Sequence, residues 1–317
     1  MSRSRVNAYF LLLATVIIWG AGGPIIKYTL TGGFEPLFFL LYRFLISGII
    51  GLGLLIYVKP KLPQTTHVWM LTILHSILAT AVALGLLFTG LKFTTVLDMA
   101  IIVSISPLIT SIAGSYFLKE NITRREKLGM GLAFLGTAVS IAEPIFNSNY
   151  TAGSLTGNLL IFAAISVNAV AFVLAKKTIK LKVDPIALSS LSFIIGFVVI
   201  LPAIIFIYGN DNIVFQIRQI KPEFHLGVWY MAIIGGNIAF TLYNKAQKAI
   251  EIGEASVFKY LDPLVATPLA VFWLGEQIDI YFMAGAVLIL IGVIIAETRT
   301  KKIKVHPHPA VHHPHHR

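Results

Sequence analysis

Lys259 and Asp262 stand three residues apart in an apolar stretch, a spacing that puts an ammonium and a carboxylate on one face of a helix. By insertion scales a charged side chain at mid-membrane costs about 2.5–3.5 kcal/mol, so it normally meets a partner or a water-filled cavity. Two roles fit the pair. It is either a gating or coupling pair at the cytoplasmic side of a central cavity, with Lys259 drawing in an anionic group, or a buried structural pair whose lysine snorkels to the interface. His75, the one histidine well inside an apolar segment, has the chemistry for proton coupling or for a hydrogen bond between helices. Arg43 has two roles open to it, contact with substrate or an anchor between helices on Asp98 or Glu276, and the anchor is the expected one.

Uncharged polar groups complete the candidate site. Asn237, Thr241 and Asn244 recur at helical spacing behind Tyr230, and Asn158, Phe162, Asn168 and Phe172 form a rougher polar and aromatic stripe. Such stripes line a cavity or join helices. Trp19 sits beside Gly20, Gly22, Gly23 and Pro24, a group that permits a bend. The expected substrate-binding set is Trp19, His75, Asn168, Asn237, Thr241, Asn244 and Lys259. The expected structural or gating pairs draw on Arg43, Asp98, Lys259, Asp262 and Glu276. An aromatic wall with amide groups suits a neutral or zwitterionic organic solute better than a bare ion.

The elements that must hold these groups are membrane helices. The 317-residue chain is 56% hydrophobic and only 12% charged, with mean hydropathy +0.82. Ten apolar segments of roughly the ~20 residues needed to span a bilayer can be marked. They lie near 6–28, 36–58, 68–91, 97–118, 125–143, 156–176, 185–208, 224–245, 254–275 and 279–297. With the termini cytoplasmic, nineteen of the 25 Lys and Arg fall on the cytoplasmic side, four on the other, and Arg43 and Lys259 within segments. That asymmetry sets the orientation and explains the net charge of +11 without a nucleic-acid partner.

The chain also repeats itself. Pro107, Glu120, Gly129 and Gly136 recur as Pro263, Glu276, Gly285 and Gly292, each at a separation of 156 residues. A second echo at 149 sets Lys27, Glu35 and Pro36 over Lys176, Asp184 and Pro185. Five segments per copy is an odd number, so the second copy must enter the membrane inverted. The expected fold is therefore an all-α integral membrane protein of ten transmembrane helices, arranged as two inverted five-helix repeats over 6–143 and 154–297. Residues 298–317 form a basic tail rich in His and Pro, expected to be disordered.

Several classes are excluded. No cysteine is present, so thiol nucleophiles, disulfides and thiolate metal sites are ruled out. The chain has no Gly-x-x-x-x-Gly-Lys-Ser/Thr loop for ATP-driven pumping and no His-Glu-x-x-His zinc motif. No cofactor or metal is expected. An embedded enzyme and a channel are the rival classes. The first would need acids, bases or ligands clustered at one depth, and the second does not call for inverted repeats.

Trp19-Gly20 with Gly22-Gly23-Pro24 and Lys27, Glu35-Pro36 leading to Arg43-Phe44, and a Pro-Leu helix ending on glutamate in both copies resemble the EamA-type transporters of the drug/metabolite transporter superfamily. The likeness spans nearly the whole chain. It implies a two-repeat helical fold in the cell (inner) membrane that moves small metabolites, often outward, by alternating access. The implied partners are a small-molecule substrate, the bilayer and a coupling proton or ion. Because both repeats lie in one chain, a monomer or weak dimer suffices.

Overall fold

The structure is a computed structural model that describes residues 3–118, 124–146, 153–209, 217–250, 255 and 258–297. Its regular elements, among the described residues, are all helical. In chain order they are α1 (Arg3–Thr31), α2 (Pro36–Val58), α3 (Thr66–Phe93), α4 (Val96–Phe117), α5 (Arg124–Phe146), α6 (Leu155–Lys180), α7 (Pro185–Tyr208), α8 (Pro222–Ala246), α9 (Asp262–Leu274) and α10 (Ile280–Glu297). Seven of them, α1 to α4 and α6 to α8, are long and apolar enough to cross a membrane by length and composition. Shorter apolar stretches run over Lys127–Ile141 in α5 and Ile280–Ile295 in α10. Lys119, Glu120 and the tail 298–317 lie outside the described residues.

Local chemistry fixes where the helices begin. Hydroxyls of Thr65, Thr95 and Ser154 and the carboxylate of Asp184 accept from the first free backbone N–H groups of α3, α4, α6 and α7. Proline opens α2, α7 and α8, where its missing N–H has no partner to lose. Within a bilayer the remaining backbone groups must be satisfied inside each helix. Both α3 and α8 contain π-helical turns, Ile77–Val82 and Tyr230–Ile238, which widen the backbone ladder near mid-helix.

Hydrogen bonds between loops define two ends of the bundle. At one end Asp184 N–H donates to Lys61 O, and Lys248 pairs with Asp184 at 3.2 Å. At the other, Lys92 pairs with Glu35 at 2.8 Å and Ser154 N–H donates to Phe93 O. The first end carries Lys59, Lys61, Lys177, Lys180, Lys182, Lys245 and Lys248 and is here named the basic end. The second is the Glu276 end.

The two halves of the chain repeat one another in geometry. Glu35 and Asp184 both precede a helix-opening proline with φ −72° and ψ 139°. Ile105, the turn that divides α4, has φ −80° and ψ −10°; Leu261, 156 residues on, has φ −86° and ψ −13° where α9 begins. Lys27 Nζ donates to Leu91 O at 2.9 Å and Thr94 O at 2.6 Å. Lys176 Nζ donates to Gln247 O and to Ile250 O at 2.5 Å, the same two carbonyls displaced by 156. Each lysine thereby satisfies carbonyls freed at a helix end, where a cation also suits the helix dipole. The pairing of α5 with α10 has the same symmetry. A Cβ at Gly136 would lie 2.8 Å from Gly285 O, and one at Gly292 would lie 2.6 Å from Gly129 O, so only glycine permits the contact.

Candidate functional site

Lys259 is the organising group. Where one helix over 254–275 is expected, the described part is a 3₁₀ turn, Phe258–Leu261, leading into α9. Lys259 on this turn is 8% exposed, and its Nζ lies 4.2 Å from the ring centre of Phe172, 5.4 Å from Trp19 and 5.8 Å from Tyr243. Ring faces are negative, and a desolvated ammonium gains about 2 kcal/mol or more from one. Lys259 and Asp262 form no ion pair within 4 Å among the described contacts: the ammonium lies over the rings, and the two charges act on one another across the cleft without touching. Oδ1 of Asp262 is buried and has no hydrogen-bond partner.

Both charges line one cleft. Its wall includes Thr15, Val16 and Trp19 of α1, Tyr243 of α8, and Phe258, Lys259 and Asp262. The enclosed part amounts to about 10 Å³, the room of roughly one water molecule, so in this conformation the cleft is closed around the lysine. Gly20 brings α1 close: a Cβ there would lie 2.8 Å from Val265 Cβ and 3.0 Å from Asp262 O. Trp19 is held by its indole Nε1, which donates to Gly235 O in the π-helical part of α8 at 2.9 Å. Tyr230 returns the contact by donating its hydroxyl to Ile18 O at 2.9 Å. The ring of Trp19, with its N–H so engaged, offers the cleft only its apolar surface, and it packs on Phe240 and Tyr243 at 5.2 and 5.3 Å between centroids.

Other expected site residues lie elsewhere. His75 Nδ1–H donates to Ala171 O at 2.9 Å, joining α3 to α6 away from the cleft lining. Asn237 donates to Ser47 O and Ala232 O, both at 3.3 Å, and Asn244 to Ser189 Oγ at 3.0 Å, so these amides fasten α8 to α2 and α7. Thr241 is half-buried, as is Asn168, whose Oδ1 is buried without a hydrogen-bond partner.

The expected anchor of Arg43 on Asp98 or Glu276 is also corrected. Asp98 accepts from Thr94 Oγ1 at 3.0 Å. Glu276 spans the two halves, accepting from Val96 N–H at 2.8 Å and Leu97 N–H at 2.9 Å at the start of α4. Arg43 packs instead over Phe88 and Phe193, 5.6 and 5.9 Å from their centres. Carboxylates prefer helix N-termini, and Glu276 has two free N–H groups there.

Sequence reasoning missed two contributors. Phe172 was read as part of a stripe and Tyr243 not at all, although Tyr243 stands beside Asn244. The lysine clamps were visible as the 149-residue echo of Lys27 and Lys176. No group of three or more His, Cys, Asp or Glu able to hold a metal occurs among the described residues.

Comparison with known proteins places this geometry. A 28% identical relative, "Uncharacterized transporter YyaM" of Bacillus subtilis (strain 168), aligns over 92% of this chain and 94% of its own. "Probable amino-acid metabolite efflux pump" of Salmonella typhimurium (strain LT2) is 25% identical over 90% of this chain and 93% of its own. One solved crystal structure superposes with TM-score 0.64 at 16% identity, over 93% of this chain and 97% of that one, a likeness of fold. The description of the EamA-like transporter family matches twice, over 6–142 and again over 155–298, and the chain belongs to that family.

Proposed function

We propose that this protein is a secondary transporter that exports a small organic metabolite, an amino acid or similar zwitterion or drug-like solute, by alternating access at the Lys259 cleft. The observation that carries this reading is the cleft's chemistry: the Lys259 ammonium, an Asp262 carboxylate oxygen without a hydrogen-bond partner and the rings of Trp19, Tyr243 and Phe258 line one space. A zwitterion presents the complementary carboxylate and ammonium, and an apolar body suits the rings. The printed name of the Salmonella relative points the same way.

Ten membrane helices in two inverted repeats are part of the proposal. The matched torsions at Ile105 and Leu261, and the paired clamps of Lys27 and Lys176, support it. In this conformation Glu276 ties α9 of one half to α4 of the other, sealing the Glu276 end while the cleft lies toward the basic end. The bias of basic residues puts the basic end and both termini in the cytoplasm, in the cell (inner) membrane.

The test is flux in proteoliposomes loaded with a pool of metabolites and read by mass spectrometry, with Lys259→Met as control. Loss of one zwitterionic solute from parent vesicles, and its retention in Lys259→Met vesicles, is expected. Equal efflux from both sets would overturn the site. Orientation is tested separately: a single cysteine at position 2 should resist an impermeant thiol reagent in intact cells, and its labelling there would reverse the topology.

A further inference from the structure

Besides Lys259, the bundle buries another cation that meets ring faces but leaves hydrogen bonds unmade among the described residues. Arg43, one of the largest fully buried side chains, is 1% exposed, and its Nε and Nη1 have no hydrogen-bond partner. Four carboxylates among the described residues are engaged elsewhere, Glu35 with Lys92, Asp98 with Thr94, Asp184 with Lys248 and Glu276 with the backbone of α4, and Asp262 lines the Lys259 cleft without forming an ion pair with Arg43. Phe88 and Phe193 take the guanidinium on their faces, which leaves its in-plane N–H donors for another acceptor. An arginine serving as a helix anchor would spend those donors on carbonyls, as Lys27 and Lys176 do. Leaving them unmade in hydrocarbon is costly unless a ligand supplies the acceptor.

Arg43 is joined to the Lys259 cleft by touching rings. Phe193 packs on Phe240 at 5.3 Å, Phe240 on Trp19 at 5.2 Å, Trp19 on Tyr243 at 5.3 Å, and Tyr243 on Phe172 at 4.9 Å, where Lys259 sits. One helical turn from Arg43, Ser47 contacts the π-helical part of α8 through Ala232 O, and Asn237 there has an unpartnered Oδ1. Arg43 stands two turns from the start of α2, at the Glu276 end, and Lys259 stands toward the basic end.

We infer that Arg43 is a second binding station, for a carboxylate, so that the solute carries a carboxylate on an apolar or aromatic body and passes between Arg43 and Lys259 along the ring line. Guanidinium prefers planar oxyanions, and the flanking rings give the body of such a solute a surface to slide on. The inference rests on the transport reading for its route, but the binding station can be tested without flux.

The probes are phenylacetate and its uncharged isostere phenylacetamide, titrated calorimetrically into the purified full-length protein in detergent. Parent protein should bind phenylacetate at least tenfold more tightly than phenylacetamide. Lys259→Met should keep a preference of several-fold, through Arg43. Adding Arg43→Met to Lys259→Met should abolish the preference, and Arg43→Lys in the same background should restore part of it, which a purely structural arginine would not do. Arg43→Gln replaces Arg43→Met if the latter does not fold. Absence of any preference in Lys259→Met, or its survival in the double variant, overturns the station, as does failure of parent protein to bind phenylacetate. Binding that follows the expected pattern without flux in proteoliposomes upholds the station and refutes transport instead.

Discussion

Lys27, half-buried, and Lys259, buried, stand on helical segments of one bundle, and they are satisfied in opposite ways. Lys27 Nζ donates to two carbonyls within 2.9 Å, as its counterpart Lys176 does in the second half of the chain. Lys259 meets three ring faces at 4.2–5.8 Å and a carboxylate that it does not touch. The carbonyl clamps close a geometry and hold it. Ring faces attract a cation without using its N–H donors, so the donors stay available. The difference separates structural cations from those able to receive a solute, and it groups Arg43 with Lys259.

The strongest way to break this distinction is to remove a clamp. Lys27→Met leaves Leu91 O and Thr94 O without their donor, at about 1–3 kcal/mol for each buried acceptor. Lys176→Met should cost a similar amount. Thermal unfolding in detergent is expected to fall by several degrees for either variant, with flux by the surviving folded protein unchanged. Unfolding of Lys27→Met at the parent temperature would show that the carbonyl contacts are incidental.

Lys259→Met sharpens the same comparison from the other side. Methionine keeps the packing, and its sulfur gains about 0.3–1.5 kcal/mol against aromatic rings, so stability should stay near that of the parent. Transport of a zwitterionic solute should drop at least tenfold, about 1.4 kcal/mol of lost interaction. Asp262→Asn should impair the same solutes, while a solute lacking an ammonium should be spared. If Lys259→Met unfolds as readily as Lys27→Met, both lysines are structural and the cleft is not the site.

The sequence carried the architecture further than the site. Repetition at 156 residues was legible because proline, glycine and glutamate mark helix turns and close contacts, and the same offset reappears in the torsions of Ile105 and Leu261. Membership of a transporter family was legible in those motifs. Contacts of charged side chains were not. Arg43 was assigned to a carboxylate by pairing opposite charges, yet aromatic rings compete for a guanidinium and leave no mark at any fixed spacing. Lys259 and Asp262 share a face as their spacing implies, but spacing does not say that rings lie nearer than the carboxylate. Asn237 and Asn244 show the reverse failure: their stripe suggested a cavity, and the fold uses the amides to fasten neighbouring helices.

The smallest expected effect concerns the Glu276 end, beyond the last turn of α9. Burial raises the Glu276 carboxyl above the usual carboxylate value, against the opposing pull of the Val96 and Leu97 N–H groups and Lys27. A carboxyl whose value is raised by folding binds its proton more tightly in the folded state than in the unfolded chain. Its contribution to stability is therefore greatest below the ordinary carboxylate range and declines as pH climbs from there to the folded value, levelling off above it. Charged Glu276 still caps α4 across the two halves, so rising pH trades some stability for a firmer tie at this end. Glu276→Gln cannot titrate, and one amide accepts only through its oxygen, so the second N–H loses its partner. Thermal unfolding of Glu276→Gln should vary less with pH than the parent as pH rises from the ordinary carboxylate value of 4.5, and its exchange of solute should be faster than the parent's once the parent carboxyl is charged. Superimposable pH profiles for parent and variant would mean that Glu276 is already neutralised by Lys27, and that the seal at this end rests on helix packing alone.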